Sequence, residues 1–435
     1  MTRPPVSRRT MSQSVPSRAS FVEPTVITNR EEARALRVLR PRRAAPEAAV
    51  RPTRAEIDLA ALRHNLRAIR RVSGDARVWA VLKADGYGHG APAVARTLER
   101  AGVDGISVAL LEEAIELRGA GIRAPILVMG GYYGDSYEEL LAHELVPVIY
   151  HEGHFDGLAR ATRTRGLQER VSVHLKVDTG MGRLGVSVDE LPRLLEYAAG
   201  FPQISIDGLM THFACADVPG EEGDASLAEQ LALFERARSI VRAHGIEPRF
   251  VHAANSAAVL RANLSSAARF NAVRPGIALF GVAPMASEHR VAAELRPTLK
   301  LRSEIVAIRT IEEGAGVGYG STWRAQRRSV VATVPFGYAD GLPRSISEPG
   351  AGGSVLVRGK RAPIVGVLSM DLATIDVTDV AGARLRDEVV ALGHQRGVHG
   401  EDTITVEQLA ATAGLIPWDV LTSISRRVPR FYREP

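Results

Sequence analysis

Val78-Trp79-Ala80-Val81-Leu82-Lys83-Ala84-Asp85-Gly86-Tyr87-Gly88-His89-Gly90 reads as a strand that stops on a lysine and runs into a glycine-rich turn. Its first five residues are all apolar, the pattern of a strand covered on both faces, as in a parallel sheet. The same rhythm returns downstream at Gly105–Ala109, Pro125–Met129, Val146–Tyr150, Val171–Val177, Ile206–Met210, Arg249–Ala253 and Ala272–Phe280. Between these runs lie stretches with helical spacing: Leu59–Val72, Ala91–Ala101, Leu111–Ala120, Asp189–Ala199 and Leu227–His244. Eight strands alternating with helices over roughly 220 residues predict an α/β fold of the (β/α)8 TIM barrel type. A doubly wound open sheet is compatible with the same alternation. No internal repeat is visible.

After about residue 296 the helical spacing stops. Leu299–Thr310, Ser329–Pro335, Ser354–Arg358, Pro363–Leu368, Thr374–Val377 and Glu388–Leu392 read as strands between Gly, Pro and Asp turns. One short helix, Val406–Ala413, follows Thr405 as N-cap, with Gln408 at the capping-box position. This is a second, mainly β domain, taken as 296–435, after a barrel over 52–295.

The chain has 435 residues, 24% charged and 45% hydrophobic, with a net charge of +6. That composition excludes disorder throughout, and no apolar run reaches the ~18 residues of a membrane span. One cysteine, Cys215, leaves no internal disulfide framework and fits a reducing cytoplasm. The charge is unevenly placed. Residues 1–54 hold twelve arginines and four acids, so they carry +8 and leave −2 for the remainder. The basic balance therefore belongs to an N-terminal extension, residues 1–51, whose Arg, Ser, Pro and Ala bury too little apolar surface to offset ordering. A nucleic-acid role would rest on that extension alone, and none is expected.

At the carboxyl end of a barrel strand, Lys83 has its ammonium partly desolvated, which favours a reactive free amine. A solvated turn lysine is the commoner fate, but three glycines and Tyr87 behind it indicate close backbone approach to a ligand. The seventh strand ends in His252-Ala253-Ala254-Asn255-Ser256, and the eighth run contains Arg274-Pro275-Gly276-Ile277. A serine opening a helix and an unobstructed glycine N–H suit a phosphate. Lysine and phosphate cradle at one barrel mouth point to pyridoxal 5′-phosphate. Three other patterns carry less. Gly180-Met181-Gly182-Arg183-Leu184-Gly185 matches a dinucleotide fingerprint but lacks a ribose-binding acid at the expected distance. Asp178-Thr179-Gly180 has no second copy with which to form an aspartic-protease pair. His394 and His399, like His151 and His154, lack metal-ligand spacing and read as loop histidines.

The motifs together resemble the alanine racemase family. The resemblance runs through Ala80–Gly90, Leu175–Gly185, Thr211-His212-Phe213, Asn255-Ser256 and Arg274–Ile277. In the second domain it includes Gly316–Gly320, Gly337–Gly341 and Ser369-Met370-Asp371. It implies a barrel plus a C-terminal β domain, with the strand at 52–59 paired to that domain, and a cytoplasmic homodimer whose active sites are shared between subunits. It implies interconversion of L- and D-alanine for peptidoglycan. The alternatives are a racemase of broader amino-acid specificity and a non-catalytic, cofactor-binding regulatory protein; the second domain argues against the latter.

By the same resemblance Lys83 and Tyr319 would be the two bases, since one group cannot reach both faces of a planar centre. His212, backed by Arg274, would lower the phenol of Tyr319, and Arg274 would donate to the pyridine nitrogen. Arg183 would lie beside the cofactor phenolate and the substrate carboxylate, which would also meet the backbone N–H of Met370. Tyr87, Ser256, Gly276 and Ile277 would bind phosphate, and Tyr338 would stand on the access path. Lys176 matches a position carbamylated in some members. Arg426 stands where many members carry a phosphate-binding tyrosine, Ser369 where cysteine is frequent, and Phe280 where tyrosine is. Removing residues 1–50 is expected to leave racemisation and thermal stability unchanged. Loss of the folded state in the truncated chain would contradict the reading of the extension.

Overall fold

The computed structural model describes residues 49–134, 136–261, 270–284 and 290–434. The basic extension lies, up to residue 48, outside the described residues. The chain enters through β1 (Arg54–Asp58) and α1 (Leu59–Ser73). Asp58 ends the strand and caps the helix, its carboxylate accepting from the Ala61 N–H at 2.8 Å. Leu59, Leu62, Leu66 and Ile69 recur at helical spacing and are all buried, while Arg70 and Arg71 complement the C-terminal dipole.

Eight parallel strands follow: β2 (Arg77–Val81), β3 (Gly105–Leu110), β4 (Ile126–Gly131), β5 (Val146–Ile149), β6 (Val171–Asp178), β7 (Ile204–Met210), β8 (Phe250–His252) and β9 (Ala272–Val273). Their order is β5-β4-β3-β2-β9-β8-β7-β6, and β5 pairs back to β6. The sheet therefore has no free edge. That closure excludes the doubly wound alternative, which requires two open edges. The connecting helices are α2 (Ala91–Arg100), α3 (Leu111–Gly119), α4 (Tyr137–Ala142), α5 (Glu152–Arg165), α6 (Leu191–Ala198), α7 (Gly220–Ala243) and the single turn α8 (Ser256–Leu260). Trp79, Leu127, Val148, Met210 and Ala272 touch one another from five different strands, which is possible only inside the barrel.

The eighth strand is shorter than its sequence suggests. It ends at Val273, because Pro275 has no N–H to donate, and Ile277–Phe280 turn into a 3₁₀ helix.

The second region is built on a six-strand path: β16 (Lys360–Pro363), β15 (Ser354–Val357), β18 (Glu388–Gly397), β10 (Leu299–Glu304), β1 and β20 (Arg430–Arg433). β19 (Gly400–Ile404) extends β18 as a hairpin. Here β1 runs antiparallel to β10 and parallel to β20, so Ile57 faces both Leu299 and Tyr432. The segment Leu299–Thr310 is two strands rather than one. At Ile305 the chain leaves this sheet, and β11 (Ala307–Ile311) joins a second one with β14 (Ser329–Val334) and β17 (Ala373–Asp376). β12 (Gly316–Val317) and β13 (Trp323–Arg324) form a short ribbon. The expected strand Pro363–Leu368 survives only as a bridge from Ile364 to Ile375, and β16 precedes it.

Thr405 caps α9 (Val406–Ala413) with the reciprocal Gln408 contact. A second helix, α10 (Pro417–Ser423), starts on a proline, with the Asp419 carboxylate accepting from the Ile416 N–H. Replacing Leu66, 1% exposed in the core face of α1, by alanine is expected to cost about 2–5 kcal/mol in urea unfolding.

Candidate active site

Lys83 stands two residues beyond the end of β2, where the backbone changes hand. Ala84, Asp85, Gly86 and Tyr87 have φ of 52°, 58°, 62° and 52°. Left-handed turns cost L-residues roughly 1–2 kcal/mol apiece, and only one of these four is glycine. The turn is closed by Gly86 N–H to Leu82 O (2.9 Å) and Gly88 N–H to Ala84 O (3.0 Å). Four surrounding groups hold it. Glu113 accepts from the Ala84 N–H at 2.6 Å, and Asp85 from the Ala91 N–H at 2.9 Å. The His89 Nδ1–H donates to the carbonyls of Gly86 and Tyr87. Arg430 donates Nε–H and Nη2–H to Gly88 O at 3.1 and 3.0 Å. Gly88 has no room for a side chain, since a Cβ would lie 2.1 Å from Leu421 O.

The charges crowd on one side. Burial lowers the Lys83 ammonium, Arg183 lowers it further, and Glu113 opposes both. Lys176, on β6 and 5% exposed, is pushed down to about 8 by burial and then by Arg274 and Arg183. Arg274, 2% exposed, is pushed down to about 10 by burial alone. It donates to the carbonyls of Thr211 (2.7 Å), His252 (3.0 Å) and Ala253 (3.2 Å).

Because a guanidinium cannot accept, its other contacts fix two tautomers. Arg274 Nη1–H donates to His252 Nδ1 at 2.6 Å, so His252 carries its proton on Nε2 and donates to His174 Nδ1 at 2.9 Å. Arg274 Nη2–H reaches His212 Nδ1 at 3.4 Å, which leaves the His212 Nε2–H as a donor. His212 is held neutral, at about 3, by burial and then by Arg274, Lys176, Arg183 and Lys83.

Opposite these, the Ser256 hydroxyl oxygen accepts from the N–H groups of Gly276 (2.8 Å) and Ala278 (3.3 Å). A Cβ on Gly276 would lie 2.2 Å from the Tyr87 hydroxyl. Two hydroxyls and two backbone N–H groups thus converge where no side chain could be added. The donor set fits a phosphate, with Ile277 between the two N–H groups. The helix after Ser256 is one turn capped by Asn255, so hydroxyls and loop amides supply the donors here rather than a long helix dipole.

Lys83, Tyr87, Lys176, Arg183, His212, Ser256, Arg274, Gly276 and Ile277 therefore share the carboxyl end of the barrel. Tyr319 (74% exposed), Met370 (51%) and Tyr338 (41%) sit in the second region facing solvent, and Arg426 is exposed as well. Among the described residues none of these four side chains bonds to the barrel group. The turns bearing Tyr338 and Met370 are tied together by Tyr338 N–H to Ser369 O (3.2 Å) and Ala339 N–H to Met370 O (3.1 Å). The fully buried Asp340 carboxylate accepts from Arg51 (2.6 and 3.0 Å), Arg427 (2.8 Å) and the Gly337 N–H (2.9 Å).

The Gly180–Gly185 loop is no dinucleotide site. Asp178 accepts from the N–H groups of Gly180, Met181 and Gly182, and the loop returns to a two-residue strand at Val186–Ser187 rather than opening a helix. Among the described residues no His, Cys, Asp and Glu group could hold a metal.

The sequence alone assigns no role to Glu113, His174, Asp340 or Arg430, although Asp340 lies within the Gly337–Gly341 motif. Glu113 looks like an ordinary acid in a first helical turn, and the partners of the others lie tens to hundreds of positions away.

Residues 57–284 match the family model for the alanine racemase N-terminal domain, and residues 298–432 that for the C-terminal domain. The chain belongs to the alanine racemase family. It is 57% identical to an alanine racemase of Sorangium cellulosum over 89% of its own length and all of that relative. Among solved structures it resembles the alanine racemase of Clostridium difficile (TM-score 0.80, 34% identity, 88% and 96% of the two chains). It also resembles that of Bartonella henselae, described with covalently bound pyridoxal phosphate (TM-score 0.76, 28% identity, 88% and 99%).

The buried histidines of this racemase make its stability sensitive to acid. Burial first, and then Arg274, holds His174 at about 3, against 6.5 for an unfolded imidazole. The folded state excludes the proton, so this stabilisation is complete above pH 6.5 and is lost as pH falls towards 3. At pH 5 the loss is about 2 kcal/mol for His174. Urea unfolding at pH 7.5 and 5.0 checks this, and His174→Gln, which cannot titrate, should remove that share of the difference.

Proposed function

We propose that the chain interconverts L- and D-alanine with pyridoxal 5′-phosphate at the barrel mouth, Lys83 and Tyr319 of the partner subunit serving as the two bases. The observation that carries this reading is the pairing of a desolvated lysine with a phosphate-sized cradle of Tyr87, Ser256 and the Gly276 N–H on one barrel face. When bound, the cofactor ring takes up the electron pair left as the Cα proton departs. The chain's own residues do the rest. Burial and Arg183 favour the free amine of Lys83, the form that binds an aldehyde and accepts a proton. Arg274, pinned by three carbonyls, can only donate, so it would meet the ring nitrogen without protonating it.

The His212 Nε2–H is left to donate, and Tyr319 of the partner subunit would receive it. Such a bond favours phenolate over phenol. Arg183 and the backbone N–H of Met370 would hold the substrate carboxylate. Tyr338 would line the access path. Lys176, at about 8, holds a share of free amine near neutrality, the form that carbon dioxide modifies; a carbamate there would bring a negative charge among Arg183 and Arg274.

The exposure of Tyr319, Met370 and Tyr338 supports a homodimer in which each second domain completes the other subunit's site. The domain limits that fit are 52–295 for the barrel and 296–435 for the β domain, with β1 contributed to the latter's sheet. Cytoplasmic supply of D-alanine for peptidoglycan is the role that follows. No helix among the described residues is long and apolar enough to cross a membrane.

Purified protein should show a bound-cofactor absorption band and racemise alanine in preference to other amino acids. Lys83→Ala and Tyr319→Phe should each lose at least ~100-fold in rate. Co-expressed, the two inactive variants should recover about a quarter of wild-type activity, since half the dimers are mixed and one site in each is intact. Absence of racemisation by the wild type would overturn the function. Absence of recovery in the mixture would overturn the shared site.

A further inference from the structure

We infer that Glu113 is a positioning residue for this reaction: its two carboxylate oxygens pin the lysine-bearing turn to the first turn of α3 and so hold Lys83 in place. The inference rests on the proposed role of Lys83.

An acid at the third position of a helix ordinarily turns back on its own N-cap, a local stabilisation of one helix. Glu113 does this with one oxygen only. Oε2 accepts from the N–H groups of Ala109 (2.9 Å) and Leu110 (3.1 Å). Oε1 reaches out of the helix to the Ala84 N–H at 2.6 Å, on a residue 29 positions earlier. Ala84 directly follows Lys83 and is the first residue of the left-handed run. The bond therefore acts at the point where the backbone changes hand and fixes the peptide that carries the lysine. The same carboxylate is the negative charge that opposes Arg183 at Lys83.

The chemistry demands glutamate. Both oxygens accept from N–H groups, so an amide would turn an NH2 towards an N–H at one end or the other. Aspartate, one methylene shorter, cannot span both contacts. Glu112 beside it is exposed and makes neither contact, which makes it the natural control.

The test uses purified holoenzyme and follows, at the cofactor's visible band, the rate at which hydroxylamine strips pyridoxal phosphate. Thermal midpoints and racemase rates are taken alongside. Glu113→Ala should lose cofactor about tenfold faster than wild type, the effect of one missing hydrogen bond to a charged group, and Glu113→Gln by a smaller factor. Glu112→Gln should match wild type. Adding Ala84→Gly to Glu113→Ala should slow the loss again by about threefold, because glycine enters the left-handed region without steric cost.

A helix-capping role alone would lower the thermal midpoint without changing retention. Wild-type retention in Glu113→Ala would thus overturn the inference, and so would faster loss that Ala84→Gly fails to slow. Glu113→Gln keeps one arm of the contact and provides the same comparison where the alanine variant does not accumulate. A wild type that takes up no cofactor or racemises nothing would instead sink the functional reading.

Discussion

The site depends on a short length of backbone held in the wrong hand. Ala84, Asp85 and Tyr87 occupy a region that L-residues avoid, and nothing local to the turn compensates them fully. A histidine and an aspartate of the loop contribute, and the rest arrives from elsewhere: the Glu113 carboxylate on α3 and the Arg430 guanidinium on β20. The gain is geometric. A left-handed turn lets Lys83 and Tyr87 serve one cavity within five residues, the lysine at the strand's end and the tyrosine hydroxyl against Gly276.

Around that turn the cations outnumber the acids that face them, Glu113 at Lys83 and Asp178 at Lys176. Lys83, Lys176, Arg183 and Arg274 act on one another, and three of them are depressed by burial. Such an arrangement is unfavourable alone and favours a ligand that brings negative charge, as a phosphate and a carboxylate do. The neutral histidines follow from the same crowding. With Arg274 donating into both His212 and His252, a further proton on either ring would face a fixed positive charge. A chain whose body carries −2 overall thus presents a concentrated positive mouth.

Much of this was legible in the sequence, for identifiable reasons. Strand periodicity is local, so eight buried runs alternating with helices pointed to a barrel, while the β5–β6 pairing that excludes an open sheet is a contact at a distance. Lys83 and Arg274 stand at or just past strand ends, where the fold itself directs them to the mouth. What escaped depends on contacts made at a distance. The break at Ile305 is set by the residues that chain meets on either side, contacts that the local sequence of 299–310 does not carry. The early end of the eighth strand was signalled by Pro275 and overridden by the apolar residues after it. Glu113 and Arg430 are ordinary in type, and only the turn they hold makes them important.

The pairing of β1 with β20 has a consequence for how the protein comes into being. Residues 54–58 are made long before residues 430–433, yet they lie side by side in one sheet. Arg430, in that last strand, is also what grips Gly88 beside the lysine turn. A chain cut before Arg430 would retain every residue at the barrel mouth and still lack one of the hands that holds the turn.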